Sequence, residues 1–263
     1  MISSLPRVQH SLLGNNPWLF LSPHLDDAVL SCGALLQESA RARDITVATL
    51  FTEPASPPHT RAARTFISQC CASDAGSLFE ARQVEDREVL EELGVRHLHL
   101  GLEDALFRQR HAAPAAALVK KVLPELVHRY PTYRYDIALG RISRGDRTLI
   151  ENLRLRVREL LQQTGAELLF CPIGIGRHVD HLITRRVGTF FPDKAVYYAD
   201  FPYNLSFPVD QKFVTAQRLQ RGTWDRHLAA KEAMIRGYGT QADALFPDGQ
   251  IPLEPEAYYA PAA

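Results

Sequence analysis

Two short clusters of histidine and aspartate in this chain combine residue types that bind metal ions. The first, Ser22-Pro-His-Leu-Asp-Asp27, has a histidine three positions ahead of its last aspartate. That spacing puts an imidazole and a carboxylate on the same side of one turn. The second cluster is His178-Val-Asp-His181. If the two clusters meet in the fold, three of the ten histidines and three aspartates converge.

The chemistry that these residues predict is that of a catalytic zinc site. Such a site takes three nitrogen or oxygen ligands from the protein and leaves a fourth position for water. We predict His24, Asp27 and His181 as the ligands. The carboxylate of Asp26 cannot point in the same direction as that of the adjacent Asp27. Asp26 is therefore predicted to lie beside the water as the general base. His178 is predicted to face the developing oxyanion.

A further carboxylate, Asp180, is predicted to bind the other ring nitrogen of His178, which would fix its tautomer and favour its protonated form. Each cluster alone has a simpler explanation. Aspartates just ahead of an apolar helix commonly accept hydrogen bonds from free backbone N–H groups, and an isolated H-x-D-H is more often a surface or packing feature. The two clusters together favour a metal site.

The predicted elements place both clusters directly after strands. Apolar runs predict buried strands over residues 18–22, 45–51 and 167–171 and weaker ones over 95–102 and 195–199. Periodic apolar positions predict helices over residues 28–41, 60–69, 79–93, 114–128, 147–163 and 224–235. Alternating strands and helices predict an α/β fold with a mostly parallel sheet covered on both faces. In such a sheet, loops at the carboxyl ends of the strands meet across a crevice.

The domain organisation follows from the absence of a convincing linker or repeat. We predict a single domain over residues 1–263, with an irregular wrap at about 246–263, which is rich in Pro and Ala. The segment from Glu53 to Asp74 is predicted to leave the sheet after the second strand and to overhang the site.

Composition excludes several classes of protein. The chain has 263 residues, of which 46% are hydrophobic and 23% charged, which is typical of a globular domain. Lys plus Arg and Asp plus Glu each number 30, so nucleic acid and membrane surfaces are not expected partners. No run of 18 apolar residues predicts a membrane span. The start lacks the pattern of a secretory signal, which predicts a cytoplasmic location.

The two clusters also resemble the motifs of a known family, the LmbE-like or PIG-L zinc de-N-acetylases. Pro23-His-Leu-Asp-Asp-Ala28 is similar to the first family motif, (P/A)-H-P-D-D-E, and His178-Val-Asp-His181 matches the second, H-x-D-H. Weaker similarity extends to Arg82 and Glu85, to Gly101–Asp104, to Val196–Tyr203 and to Lys231–Gln241.

The resemblance implies a fold, a cofactor and an activity. The fold is a Rossmann-like three-layer α/β/α sandwich, the cofactor is zinc on the three ligands predicted above, and the reaction is hydrolysis of the amide of an N-acetylated amino sugar or glycoconjugate. The family's base matches Asp26, and its oxyanion histidine matches His178 with Asp180 as partner. Positions that contact substrate in the family match Arg82, Asp104 and Asp200, and Tyr203 is a further candidate as a pocket wall.

Two positions depart from the family pattern. Ala28 stands where the family has a glutamate, and Gly176 stands where certain members have a tyrosine that assists the oxyanion. Arg177 or Tyr203 are candidates to replace that tyrosine, or His178 acts alone.

Two alternative functions, the identity of the metal and the oligomeric state stay open at this point. Two histidines and a carboxylate also describe non-haem iron oxygenases, although those sites usually lie in all-β folds. A member of the same fold that has lost catalysis, serving as a binding or regulatory module, is the second alternative. The sequence does not decide between zinc and Fe²⁺, nor whether the chain forms a homo-oligomer.

Overall fold

A seven-stranded sheet organises the part of the chain that the structure, a computed structural model, describes, namely residue 2 and residues 5–110 and 123–261. The strands are β1 (Trp18–Ser22), β2 (Ile45–Glu53), β3 (Arg96–Glu103), β4 (Leu168–Pro172), β5 (Ala195–Tyr198), β6 (Leu219–Trp224) and β7 (Glu256–Pro261). They lie in the order β3-β2-β1-β4-β5-β7-β6. Strands β1 to β5 pair in parallel, and β7 pairs antiparallel with β5 and β6.

Helices connect the strands. They are α1 (Pro6–Leu13), α2 (Asp27–Ser39), α3 (Arg61–Gln69), α4 (Ala75–Glu92), α5 (Arg147–Thr164), α6 (Val179–Gly188), α7 (Gln211–Ala216), α8 (Leu228–Ile235) and α9 (Gly239–Leu245). Short 3-10 turns lie at Pro124–Leu126, Arg144–Asp146 and Tyr203–Leu205, and a π-turn at Tyr133–Ile137. Among the helices of the described ranges, none has the length and hydropathy needed to cross a bilayer.

Strand β1 shows why the sheet must be covered on both faces. All five of its residues are buried. Leu19 and Leu21 belong to one apolar core, which α5 and α6 also line, whereas Trp18 and Phe20 point into a second core shared with α2. Because successive side chains of a strand point to opposite faces, the sheet is the middle of three layers. The predicted three-layer α/β/α sandwich is confirmed.

The strand order also creates the crevice that the sequence predicted. From β1 the chain moves outward through β2 to β3, and it then returns to place β4 on the other side of β1. A reversal of this kind leaves an open crevice at the carboxyl ends of the two central strands. The loops after β1 and β4, which carry the two histidine and aspartate clusters, therefore lie side by side.

Three predicted elements differ from the structure. The tail is not entirely irregular, because Glu256–Pro261 forms β7 between β5 and β6. The helix expected over residues 224–235 begins only at Leu228, since Trp224 ends β6. Most of the helix expected over 114–128 falls outside the described residues, and its described part contains a 3-10 turn. Both β6 and β7 depend on pairing with distant strands, which local periodicity does not report.

Candidate active site

The loop after β1 is folded by hydrogen bonds from its own side chains. The Ser22 hydroxyl donates to the carbonyl oxygen of His24 at 2.7 Å and accepts from the backbone N–H of Ala28 at 3.0 Å. The backbone N–H of His24 donates to Asp27 Oδ2 at 2.9 Å. These bonds close a tight turn between strand and helix, and both the imidazole and the carboxylate project from it into the crevice.

The loop after β4 is held by a buried carboxylate. Asp200 Oδ2 accepts from the backbone N–H groups of Gly174 and Ile175, both at 2.7 Å. Gly174 and Gly176 have φ values of 82° and 81°, a region that favours glycine. The loop thus turns sharply before His178, which caps α6 by accepting from the Asp180 N–H at 3.3 Å.

The two loops meet at the carboxylate of Asp27. Its Oδ2 lies 3.2 Å from His24 Nδ1 and 3.3 Å from His181 Nε2. Atoms bound at about 2.1 Å to a tetrahedral ion are separated from one another by about 3.4 Å. Two imidazoles and one carboxylate are ligand types that zinc takes, and both contacts of the Asp27 carboxylate are at the spacing of zinc ligands. The donor set of the predicted ligands is therefore suited to a metal ion.

A third imidazole lies close enough to compete as a ligand. One nitrogen from each of His24, His178 and His181 lies within 4.8 Å of the others. A second group within the same limit is formed by His24, Asp104 and Asp180. Both groups share His24, so the described residues form one connected polar centre. Substitution of single residues can distinguish the possible sets of metal ligands.

Asp26 has the properties of a general base. It is 8% exposed, and its carboxylate does not cap α2, so the simple capping explanation does not account for it. Burial raises the pKa of Asp26 to about 7, and the negative charge of Asp27 adds to the rise. A carboxyl group with a pKa near neutrality can both accept and return a proton at physiological pH.

Comparison with known proteins identifies the family. Residues 19–190, which contain both clusters, match the PIG-L family, described as GlcNAc-PI de-N-acetylase. The chain belongs to the PIG-L family. It is also 30% identical over 190 residues to a 2'-N-acetylparomamine deacetylase of Streptomyces fradiae, a match that covers 70% of this chain and 57% of that protein. The chain thus spans a little over half the length of this curated relative.

Solved structures share the PIG-L fold of this chain at low sequence identity. The zinc-inhibited form of a teicoplanin deacetylase has a TM-score of 0.70 at 21% identity, covering 92% of this chain and 97% of that one. The deacetylase of the A40926 pseudoaglycone has a TM-score of 0.65 at 22% identity, covering 94% and 96%. At these identities the similarity establishes the fold.

In this PIG-L chain Asp180 has a different partner from the one predicted. Its carboxylate is fully buried, accepts from Arg108 at 2.6 Å and from the Ala105 N–H at 2.8 Å, and lies 3.4 Å from His24 Nε2. Only the backbone N–H of Asp180 bonds to His178. The structure therefore places the Asp180 carboxylate behind His24, and its charge offsets that of a buried guanidinium.

The protonated form predicted for His178 is not what its surroundings favour. Because His178 Nδ1 accepts a hydrogen bond, the ring proton lies on Nε2. Burial, together with the nearby His24, lowers the pKa of His178 well below its ordinary value. These surroundings favour the neutral imidazole, which has one N–H to donate.

Removal of the Asp180 charge is expected to destabilise the fold. Asp180→Asn should lower the free energy of unfolding by about 3 kcal/mol, which is the low end of the loss for a broken buried ion pair. We expect the low end because Asp146 still lies 3.3 Å from Arg108. Urea denaturation of the metal-free protein measures this loss. Asp44→Asn, at an exposed position, serves as the matched control. A loss below about 1 kcal/mol for Asp180→Asn, the level of an exposed ion pair, would contradict the role of Asp180 as a buried partner of Arg108.

Asp200, predicted to contact substrate, is placed by the structure behind His181, a predicted metal ligand. It is 1% exposed, and its Oδ1 accepts from His181 Nδ1 at 2.7 Å. With Nδ1 bonded to Asp200, the other ring nitrogen of His181, Nε2, lies 3.3 Å from Asp27 Oδ2 and is the atom available to a metal ion. A carboxylate that orients a ligating histidine in this way is a recurrent feature of zinc sites. Its burial does not suit a residue that touches substrate.

The effect of Asp200 on metal affinity can be measured directly. Asp200→Asn replaces one carboxylate oxygen with an N–H₂ donor, so either His181 or the loop N–H groups lose an acceptor. We expect zinc to bind about 10- to 100-fold more weakly, as measured by competition with a chromophoric chelator. If the affinity equals that of Asp44→Asn, His181 does not depend on this contact.

The other predicted substrate residues do line the cavity above the predicted metal ligands. This cavity has a volume of about 180 Å³, and Arg82, Asp104 and Tyr203 are among its walls. Arg82 lies over the ring of Phe66 at 5.2 Å from its centroid. Asp104 Oδ2 lies 3.4 Å from His24 Nε2, so this carboxylate faces both the cavity and His24.

The two departures from the PIG-L motif have local structural counterparts. A Cβ atom at Gly176 would lie 3.0 Å from the ring of Tyr203, so this ring occupies the space in front of the glycine. Arg177 instead reaches the carbonyl oxygen of Leu139. Ala28 packs in the apolar core, and the neighbouring loop is held by Gln241, whose side chain donates to the Leu25 carbonyl at 2.6 Å.

Sequence reasoning missed several residues of this site. Phe66, Tyr133 and Gln241 line the cavity, and Arg108 binds Asp180 from behind. None of them lies in a local pattern of catalytic residue types. The predicted overhang of the 53–74 segment accounts for Phe66, and the weak family similarity over Lys231–Gln241 is the signal that includes Gln241.

Proposed function

We propose that this chain is a zinc-dependent hydrolase that removes the acetyl group from the amide nitrogen of an N-acetylated amino sugar or glycoconjugate. His24, Asp27 and His181 would hold one zinc ion per chain. The observation that carries the proposal is the placement of Asp27 Oδ2 between the two imidazoles. The curated relative, named for deacetylation of 2'-N-acetylparomamine, supports the reaction type.

A zinc ion in such a site lowers the pKa of water and polarises a carbonyl group. Asp26 then accepts a proton from the water that attacks the acetamide carbon. The same carboxyl group returns the proton to the amide nitrogen as the carbon–nitrogen bond breaks. The products are acetate and a primary amine, so Asp26 ends the cycle in its starting state.

Two further groups act on the substrate in this proposal. The Nε2–H of His178 donates to the carbonyl oxygen as negative charge develops there. Arg82 and Asp104, on the cavity wall, bind sugar hydroxyl groups as donor and acceptor. The ring of Tyr203 closes the side of the cavity next to Gly176.

Metal analysis combined with an amine assay tests the function. We expect about one zinc per chain, and equal amounts of amine and acetate released from N-acetylglucosamine compounds. Activity should disappear with a chelator and return with zinc. Release that persists after removal of the metal would refute the mechanism. Bound metal without amine release from any N-acetylated amino sugar would favour a catalytically inactive member.

Substitution of His178 separates oxyanion stabilisation from metal binding. His178→Ala should retain zinc and lower kcat by about 10²- to 10³-fold, the usual loss for one oxyanion donor. The exposed His10→Ala is the matched control. If zinc content falls together with activity, His178 is a ligand, as its proximity to the other two imidazoles allows.

A further inference from the structure

A second, larger cavity adjoins the candidate active site. Its volume is about 810 Å³, against about 180 Å³ for the cavity over the metal ligands. Phe66, Leu106 and Tyr133 line both cavities and form their common boundary. Small-molecule sites commonly occupy 300 to 1,000 Å³. The first cavity alone is below that range, whereas the two together can accommodate a substrate larger than one sugar ring.

The walls of the second cavity are mainly apolar and aromatic. On one side, helix α3 presents Ala62, Thr65, Phe66 and Gln69, which share a face because they are three or four residues apart. The other side is the segment 131–135. Tyr133 and Tyr135 there are 47% and 64% exposed. Exposed aromatic rings around an open recess are typical of surfaces that bind flat apolar groups.

The charges at this cavity favour some occupants over others. Arg61 and Arg134 lie on its walls together with one carboxylate, Glu125, which accepts from the backbone N–H of Arg61 at 3.0 Å. Two guanidinium groups against one carboxylate disfavour a polycationic occupant. An aminoglycoside such as the substrate named for the curated relative is therefore a poor match for this recess.

We propose that the second cavity binds an aromatic aglycone attached to the amino sugar that is deacetylated. The inference rests on the proposed function and adds to it the class of substrate. The acetamide must lie next to Asp26 and the metal ligands, which line the small cavity only. In a glycoside of a 2-acetamido sugar the aglycone is attached at C1, next to the C2 that carries the acetamide, so the aglycone is the group placed to cross the boundary at Tyr133.

Matched glycosides test the occupant. The zinc-loaded protein is assayed with the methyl and the 2-naphthyl glycosides of N-acetylglucosamine, with methyl N-octanoylglucosaminide, and with 2'-N-acetylparomamine. Both the dissociation constant, by calorimetry, and kcat/KM for amine release are measured. Burial of the naphthyl ring should improve both quantities by about 10- to 50-fold over the methyl glycoside.

A substitution on α3 links the preference to this cavity. Thr65→Phe fills the recess from an exposed position, so folding should be preserved, and it should reduce the naphthyl-to-methyl ratio to about one tenth of its wild-type value. Ser68→Phe adds the same side chain to an exposed position of the same helix outside the cavity wall. This control should retain the wild-type ratio.

Each outcome bears on one proposal or on the other. A naphthyl preference in binding that Thr65→Phe removes supports the aromatic aglycone, even if no amine is released, in which case the proposed function alone fails. Equal dissociation constants for the two glycosides overturn the inference and leave the function intact. A preference for the N-octanoyl compound, or for 2'-N-acetylparomamine, also overturns it, since the occupant would then be an acyl chain or a polycation.

Discussion

Replacement of Asp27 by asparagine is expected to abolish zinc binding and amine release together. Burial alone would raise the pKa of Asp27, but His181 and His24 hold it below its ordinary value, so the carboxylate is charged. Asparagine has the same shape without the charge. Because loss of a partner behind a ligand already costs 10- to 100-fold in metal affinity, loss of a ligand should cost more than about 100-fold.

Zinc per chain after dialysis, measured by mass spectrometry, and amine release at a fixed zinc concentration check this result. Asp44→Asn removes a charge at an exposed position and should behave as the wild type. The informative contrary result is an Asp27→Asn protein that retains zinc while His178→Ala loses it. That pattern would assign the metal to the three imidazoles of His24, His178 and His181.

Asp26→Asn is expected to separate the two effects, with zinc retained and turnover lost. The neighbouring carboxylates lie in different surroundings, since Asp27 faces two imidazoles and Asp26 has a pKa of about 7. Asparagine at position 26 cannot accept a proton from water. Loss of a general base lowers kcat by about 10²- to 10⁴-fold.

Steady-state kinetics on the zinc-loaded variant, with zinc content measured on the same sample, gives both quantities. The Asp27→Asn protein is the contrast, because there the two quantities should fall together. A kcat within tenfold of the wild type would show that another group, such as Asp104 on the same cavity wall, takes the proton.

The sequence by itself determined the fold class and the location of the site. The strands around Phe20, Val47 and Phe170 are apolar runs with both faces buried, and such runs can be read locally. The reactive clusters directly follow two of these strands, and the parallel arrangement of a sheet brings their carboxyl ends together. Residue types and spacing were therefore sufficient to predict that His24, Asp27 and His181 would meet.

Only the tertiary structure decided which carboxylate serves which imidazole. Asp180 was assigned to His178 because the two are neighbours in sequence, but α6 turns its carboxylate toward Arg108 and His24. Asp200 instead reaches His181 across the end of the sheet. Such pairings depend on the direction in which each side chain leaves its helix or strand, and hence on packing between distant segments.

The same reason explains the recess beside the site and the strand missed in the tail. The recess forms where α3 faces the segment around Tyr133, and Tyr258 joins the sheet by pairing with β5 and β6. Neither arrangement has a local pattern, because each exists only once elements far apart in the chain have packed together. The residues that meet at the site were thus readable from the sequence, whereas their pairings and the shape of their surroundings required the fold.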